Sequence, residues 1–307
     1  MSFSFDTKKE LCLLPLEDES QMLSLSYGML LFSKKFTYNE IVFTTENKYI
    51  SDKLEGILTR LYAPVLEISA GLKVRSSQNH LVTMKVLYEN DCNRIFDSFG
   101  YSQSEVSLRI NRANISNDGQ LSAFLRGVFL SCGSVTNPEK GYHIEFKVPY
   151  RNLANDLLTL LCEVENCSLR PKSVMRQGKF IVYIKDSEQI ADFLTYIGAF
   201  NSSMSVMNTK VEKQVRNNTI RKINSELHNI NKTAEASARQ ITAIRKLMKS
   251  KSFNSLSPEL KEIAVLRLEN PEMSLRDLGK LTKDNISRSG VNHRLKKLLS
   301  LTDDEVQ

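Results

Sequence analysis

Residues 123–135 read AFLRGVFLSCGSV. The run carries one charge, Arg126, and two glycines, Gly127 and Gly133. A helix that is apolar on nearly every side belongs in an interior, and a glycine inside it lets another backbone come close. The stretch therefore predicts a buried helix over 118–132 that packs tightly against a neighbour.

Working outward, the pattern around it occurs twice. In the second copy the helix is followed by a turn, NPEKG at 137–141, and a strand, YHIEFKV at 142–148. Helical spacing resumes over 150–163, and SLRPKSVMR and KFIVYIK then pair across Gln177-Gly178, a hairpin signal. A last helix is expected over 187–199. About a hundred residues earlier, 20–34 (SQMLSLSYGMLLFSK) is the apolar helix and 38–45 a strand with Ile41 and Phe43 alternating. Residues 46–62 place Leu54, Ile57, Leu58 and Leu61 on one helical face. VLEISAGLKVRS and HLVTMKVLY form a hairpin across Ser77–Asn79. The reading is an internal duplication, αββαββα twice, over about 20–100 and 117–199.

Residues 200–208 (FNSSMSVMN) are small and polar and read as the start of a linker. Helical spacing runs from 209 to 249, with 10 Lys/Arg against 3 acids. The organisation is thus an α+β domain over 1–200, a basic helical connector over 201–254 and an all-α domain over 255–307. The whole chain of 307 residues has a net charge of +7. Residues 201–307 hold 20 Lys/Arg and 12 Asp/Glu, a balance of +8, so the last third carries the entire excess. That placement points to a partner with phosphates, most simply nucleic acid; a solvated basic helix is the competing reading. No apolar run approaches a membrane span, and the opening MSFSFDTKKELCLLP lacks the pattern of a secretory signal. Five scattered cysteines suit reduced thiols and a cytoplasmic location. Cys162 and Cys167 are expected to be buried free thiols, not half of a zinc site. None of His80, His143, His228 and His293 has a partner at ligand spacing, so no metal, proton shuttle or cofactor is assigned.

The strongest local signal lies over 257–302. Ser257-Pro258-Glu259 starts a helix with a capping serine, Leu260, Ile263, Ala264 and Leu268 face inward, and Asn270-Pro271 ends it. Ser274 with Asp277 forms a capping-box pattern for a short helix, SLRDLGKLT. KDNI turns the chain, and Ser287 caps a third helix, RSGVNHRLKKLLSL. Val291, Leu295 and Leu298 must face the core. Arg288, Asn292 and Lys296 then share an outward line, with Ser289 and His293 beside it. A short helix, a tight turn and a basic helix rich in donors make a helix-turn-helix. Arg288, Ser289, Asn292 and His293 are the candidates for base edges, and Arg294, Lys296 and Lys297 for phosphates. Arg276 and Lys280 on the preceding helix are further candidates. A small bundle that binds protein is the alternative.

Leu125–Gly133 (LRGVFLSCG) aligns without a gap on the LAGLIDADG motif of homing endonucleases. The counterpart in the first copy is Ser26–Lys34 (SYGMLLFSK), which keeps the third-position glycine, Gly28. The resemblance implies two such helices packed face to face, flanked by curved sheets. It also implies a lost metal site. The motif's two acidic positions are Leu130 and Cys132 in the second copy and Leu31 and Ser33 in the first, none of which offers a hard oxygen anion. Together with NINKTAEASARQITAI at 229–244, SLRDLGKL and ISRSGVNHRLKKL, the chain resembles the WhiA family of bacterial DNA-binding regulators over nearly its whole length. Val215–Asn224 diverges from that family's pattern.

The resemblance implies a non-catalytic protein that binds double-stranded DNA at the nucleoid and serves cell division and chromosome segregation. Two rivals stand beside it. One is an endonuclease with relocated acids, for which Asp118, Glu139 and Glu145 are the candidates. The other is a scaffold that recruits division or segregation proteins, with DNA as an address.

Overall fold

A computed structural model describes residues 2–16, 18–72, 80–105, 107–165 and 167–303. It divides into two compact units, Met1–Lys213 and Gln214–Gln307.

The first unit is organised around two helices, α2 (Glu19–Leu31) and α5 (Asp118–Cys132), which follow an N-terminal helix α1 (Phe3–Leu13). Asp18 caps α2 by accepting from the Gln21 N–H at 2.7 Å, and Asn117 caps α5 through the Gln120 N–H at 2.8 Å. The two helices meet at their glycines. A Cβ on Gly28 would lie 2.3 Å from the Phe124 carbonyl oxygen, and one on Gly127 would lie 2.2 Å from that of Leu25. No real Cβ tolerates such distances, so the backbones touch only because both positions lack one. Around this crossing Leu25, Tyr27, Met29, Leu30, Phe124, Leu125, Val128 and Phe129 are fully buried.

Each helix opens one copy of a repeated unit. The first continues with β1 (Lys35–Phe36), β2 (Ile41–Thr45), α3 (Lys48–Tyr62), β3 (Leu66–Leu72), β4 (His80–Val86) and α4 (Glu89–Ser98). The second continues with β5 (Gly133–Val135), β6 (Ile144–Val148), α6 (Arg151–Cys162), β7 (Lys172–Arg176), β8 (Lys179–Ile184) and α7 (Ser187–Tyr196). Strand order is β1-β2-β4-β3 in one sheet and β5-β6-β8-β7 in the other, antiparallel throughout. The identical order establishes the duplication. In the second sheet Phe146 pairs with Val182 and Ile144 with Ile184, all buried on the helix side. β3 and β4 pair as expected, while the connection expected at Ser77–Asn79 lies outside the described residues.

The structure adds short first strands to both leading hairpins and places α1, none of which the sequence reading located. It also changes the reading of 200–208. These residues open a helix, α8 (Phe200–Lys249). The Glu10 carboxylate accepts from the Asn201 N–H at 2.7 Å and the Ser202 N–H at 3.1 Å, which satisfies donors at the start of that helix. Ser202, Ser203 and Val206 are buried against the first unit. Cys162 is another correction: as the last residue of α6 it is exposed, and Cys167 is partly buried.

The second unit contains the later part of α8 with α9 (Pro258–Glu269), α10 (Leu275–Leu281) and α11 (Arg288–Asp303). Its core is Ile244, Leu247, Leu260, Ile263, Ala264, Leu278, Val291, Leu295 and Leu298. Among the described residues no helix is long and apolar enough to cross a membrane.

Candidate nucleic-acid interface

The geometry of α10 and α11 follows from their caps. The Ser274 hydroxyl accepts from the Asp277 N–H at 3.2 Å and donates to the Asp277 carboxylate at 2.7 Å. Asp277 also accepts from Lys280 Nζ at 2.6 Å, and these bonds hold its carboxyl below the usual range. The turn to α11 passes directly over α10: a Cβ on Gly279 would lie 2.1 Å from the Ile286 carbonyl oxygen. Thr282 fixes the turn by donating to the Gly279 carbonyl at 2.7 Å and accepting from the Ile286 N–H at 3.2 Å. Ser287 then accepts from the Gly290 N–H at 3.3 Å and caps α11. Ser257 precedes α9 as expected, but its hydroxyl makes no cap bond.

With Val291, Leu295 and Leu298 at most 1% exposed, the opposite face of α11 is turned outward. Arg288, Ser289, His293, Lys296 and Lys297 are exposed and Asn292 is half-buried. Arg276 is exposed at the start of α10, and Lys280 is exposed while paired to Asp277. Arg276 and Arg288 come together on one cleft. Arg294 differs from the rest. Its side chain is only 16% exposed and its guanidinium lies 3.1 Å from Glu259, so it ties α11 to the first turn of α9. Its expected contact with phosphates therefore competes with a carboxylate from α9.

The second sheet has a basic outward face that the sequence reading did not single out. Strand register puts Lys147, Lys172, Arg176 and Lys179 on the side away from Phe146 and Val182, together with Glu145. The signal lay in the alternation of β6, β7 and β8 once their pairing is known.

At the C-terminal ends of the central helices the motif's acidic positions are filled otherwise. Leu31 and Leu130 are 1% exposed and Ser33 is 9% exposed. Ser33 donates to the Lys35 carbonyl at 3.1 Å. Lys8 of α1 reaches in and donates to the Leu130 carbonyl at 3.1 Å. Burial lowers its pKa to about 8, and burial pushes the Cys132 and Cys12 thiols up to about 12. Of these three groups only Cys132 stands at an acidic position of the motif; Lys8 and Cys12 come from α1. The relocated-acid candidates are dispersed. Asp118 begins α5, at the other end from Cys132, and accepts from the Tyr196 hydroxyl at 2.6 Å. Glu145 is paired with Lys147 at 3.1 Å, and Glu139 lies on an exposed turn. Among the described residues no group of three His, Cys, Asp or Glu side chains is placed to hold a metal ion.

Both parts of this architecture have counterparts. Residues 121–216 match the WhiA LAGLIDADG-like domain, and residues 220–302 match the WhiA C-terminal HTH domain. The chain is 32% identical to a protein of Thermoanaerobacter sp. (strain X514) named "Probable cell division protein WhiA", over 97% of this chain and 96% of that one. It is 30% identical to a protein of the same name from Clostridium botulinum (strain Hall), over 99% and 98%. Among solved structures it is similar to full-length DUF199/WhiA from Thermotoga maritima, at 24% identity, 99% coverage of both chains and a TM-score of 0.61. It is also similar to the N-terminal LAGLIDADG domain of DUF199/WhiA, with a TM-score of 0.51 over 64% of this chain and 90% of that one.

Proposed function

The chain belongs to the WhiA family, and we propose that it is a non-catalytic DNA-binding protein of cell division and chromosome segregation. It acts in the cytoplasm at the nucleoid, as a transcription regulator or nucleoid-associated factor. The observation that carries this reading is the split of α11 into a buried apolar line and an outward row of donors. Arg288, Ser289, Asn292 and His293 meet base edges. Lys296, Lys297, Arg276 and Lys280 lie nearer phosphates, which fix register without reading sequence. The basic face of the second sheet adds phosphate contacts. Leu31, Ser33, Leu130 and Cys132 support the absence of cleavage, since none supplies the carboxylate oxygens that hold a catalytic divalent ion.

The test is to capture sheared DNA of the source organism on the purified protein in magnesium buffer and sequence what is retained. A few enriched sites sharing a motif, with ends uncut, are expected. Even recovery across the genome, or magnesium-dependent nicking that survives repurification, contradicts the reading.

A second reading, recruitment of division or segregation proteins, is favoured by one observation. Ile220, Ile223, Leu227 and Ile230 recur on α8 at three-four spacing and are 48–62% exposed. A row of this kind is a seam for another helix. Replacing Ile223 and Leu227 with Lys should leave DNA capture intact and remove the biological activity if recruitment is the task.

A further inference from the structure

Within the second unit a cleft of about 620 Å³ opens between α8 and the starts of α10 and α11. Four cations line it, one from each helix: Lys232, Arg267, Arg276 and Arg288. No Asp or Glu does. Like charges gathered without a counter-charge repel one another and destabilise the fold that holds them.

Arg267 makes the arrangement unusual. It belongs to α9 and is only 2% exposed. One nitrogen, Nη1, donates to the Met273 carbonyl at 2.8 Å and approaches those of Asn270 and Pro271 at 3.4 Å. Its Nε has no partner, and no carboxylate pairs with it among the described residues. A guanidinium taken out of water without a counter-ion is costly. Carbonyls relieve one edge of it, but they do not neutralise the charge. Gln240, 7% exposed on the same cleft, has an unpartnered Oε1. A single water could bridge Nε and Oε1, yet it would leave four positive charges uncompensated.

We propose that this cleft binds a phosphorylated small molecule of mononucleotide size. Its phosphate meets Arg267 at the floor and Lys232, Arg276 and Arg288 at the rim. Guanidinium groups match phosphate oxygens in charge and geometry. Gln240 Oε1 can accept from an amino or hydroxyl group of such a molecule, which a fully ionised phosphate does not itself supply. The volume falls in the range of small-molecule sites. The same phosphate chemistry is present in DNA, but Arg267 is only 2% exposed within the cleft, which disfavours contact with a duplex backbone. A compact ligand reaches it. On the reading of DNA recognition given above, Arg276 and Arg288 then serve two partners, and the bound ligand weakens DNA binding.

The full-length protein, without DNA and at constant ionic strength, is titrated calorimetrically with adenosine 5′-monophosphate and ribose 5-phosphate, and with adenosine as the control lacking phosphate. Saturable binding of at least one phosphorylated probe and none of adenosine is expected. Lys232→Ala, an exposed position, should weaken that binding about tenfold, the effect of losing one charge-assisted contact. Arg267→Met should abolish it; should that variant misfold, Lys232→Ala combined with Gln240→Leu carries the test, with the fold checked by circular dichroism. Absence of saturable binding by both phosphorylated probes, or equal binding by wild type and Lys232→Ala, overturns the proposal. Uptake of a duplex alone, weakened in Lys232→Ala, also overturns it and assigns the cations to the DNA backbone. The titrations contain no DNA, so a failure of the DNA reading leaves their outcome unaffected. Adding the probe that binds should then displace duplex DNA, and undiminished duplex binding overturns the link between the two.

Discussion

Helix α5 is buried through most of its length beyond an exposed first turn, whereas α11 is buried along one line. Phe124, Leu125, Val128, Phe129 and Leu130 of α5 are at most 1% exposed, and the helix touches α2 through its backbone at Gly127. Change at these buried positions is felt as stability. On α11 the buried line Val291, Leu295 and Leu298 leaves an outward row of donors that the core does not constrain. The same inward periodicity therefore builds a buried core in one region and leaves a free polar face in the other. Leu31, Ser33 and Leu130 belong to the first case, buried in the packing around the helix ends, where the Lys8 ammonium donates to the Leu130 carbonyl.

The comparison breaks if the crossing tolerates a side chain. Gly127→Ala places a Cβ against the Leu25 carbonyl and should destabilise the first unit by about 3 kcal/mol in urea denaturation, the upper range for overpacking. A loss below about 1 kcal/mol would mean that the two helices part easily. In the second unit Ser274→Ala removes the cap of α10 and should cost about 1 kcal/mol, read as faster hydrogen exchange in α10. No change would show that Asp277 and Lys280 hold the helix start without it.

Lys8 makes the stability of the first unit depend on pH. Its folded pKa, about 8, lies below the ordinary 10.5. Between those values the unfolded chain binds more protons, so stability rises with pH, and the penalty of the buried charge is complete below about pH 8. Lys8→Met should therefore gain most over wild type near pH 7, with the difference shrinking toward pH 10. Cys12 and Cys132 feel the Lys8 charge, so the difference is read between about pH 7 and pH 9, where both thiols stay protonated in the folded protein. A difference independent of pH would mean that Lys8 is as solvated folded as unfolded.

The repeat, the buried central helix and the helix-turn-helix were legible because each rests on local periodicity and capping. Val291, Leu295 and Leu298 announce their face by spacing alone, as do Ser274 and Asp277 their helix start. What escaped depends on distant partners. Strands β1 and β5 span two and three residues, too short for alternation to appear. Residues 200–208 read as a linker because serine and asparagine favour caps and turns; burial of Ser202 and Ser203 and the Glu10 carboxylate override that preference. Arg294 reads as outward, and only the structure supplies Glu259. Arg267 sits three residues past Ala264 on the inward face of α9, where an arginine looks misplaced until its carbonyl partners are seen.

Sequence reading is proposed for the outward row of α11. The most direct test measures the affinity of wild type and of Arg288→Ala/Asn292→Ala for a duplex enriched from the organism's own DNA and for a scrambled duplex, at one salt concentration. A loss of about 1–3 kcal/mol per substituted residue on the enriched duplex, with little change on the scrambled one, is the predicted result. Equal losses on both duplexes would contradict it, reducing α11 to an electrostatic anchor.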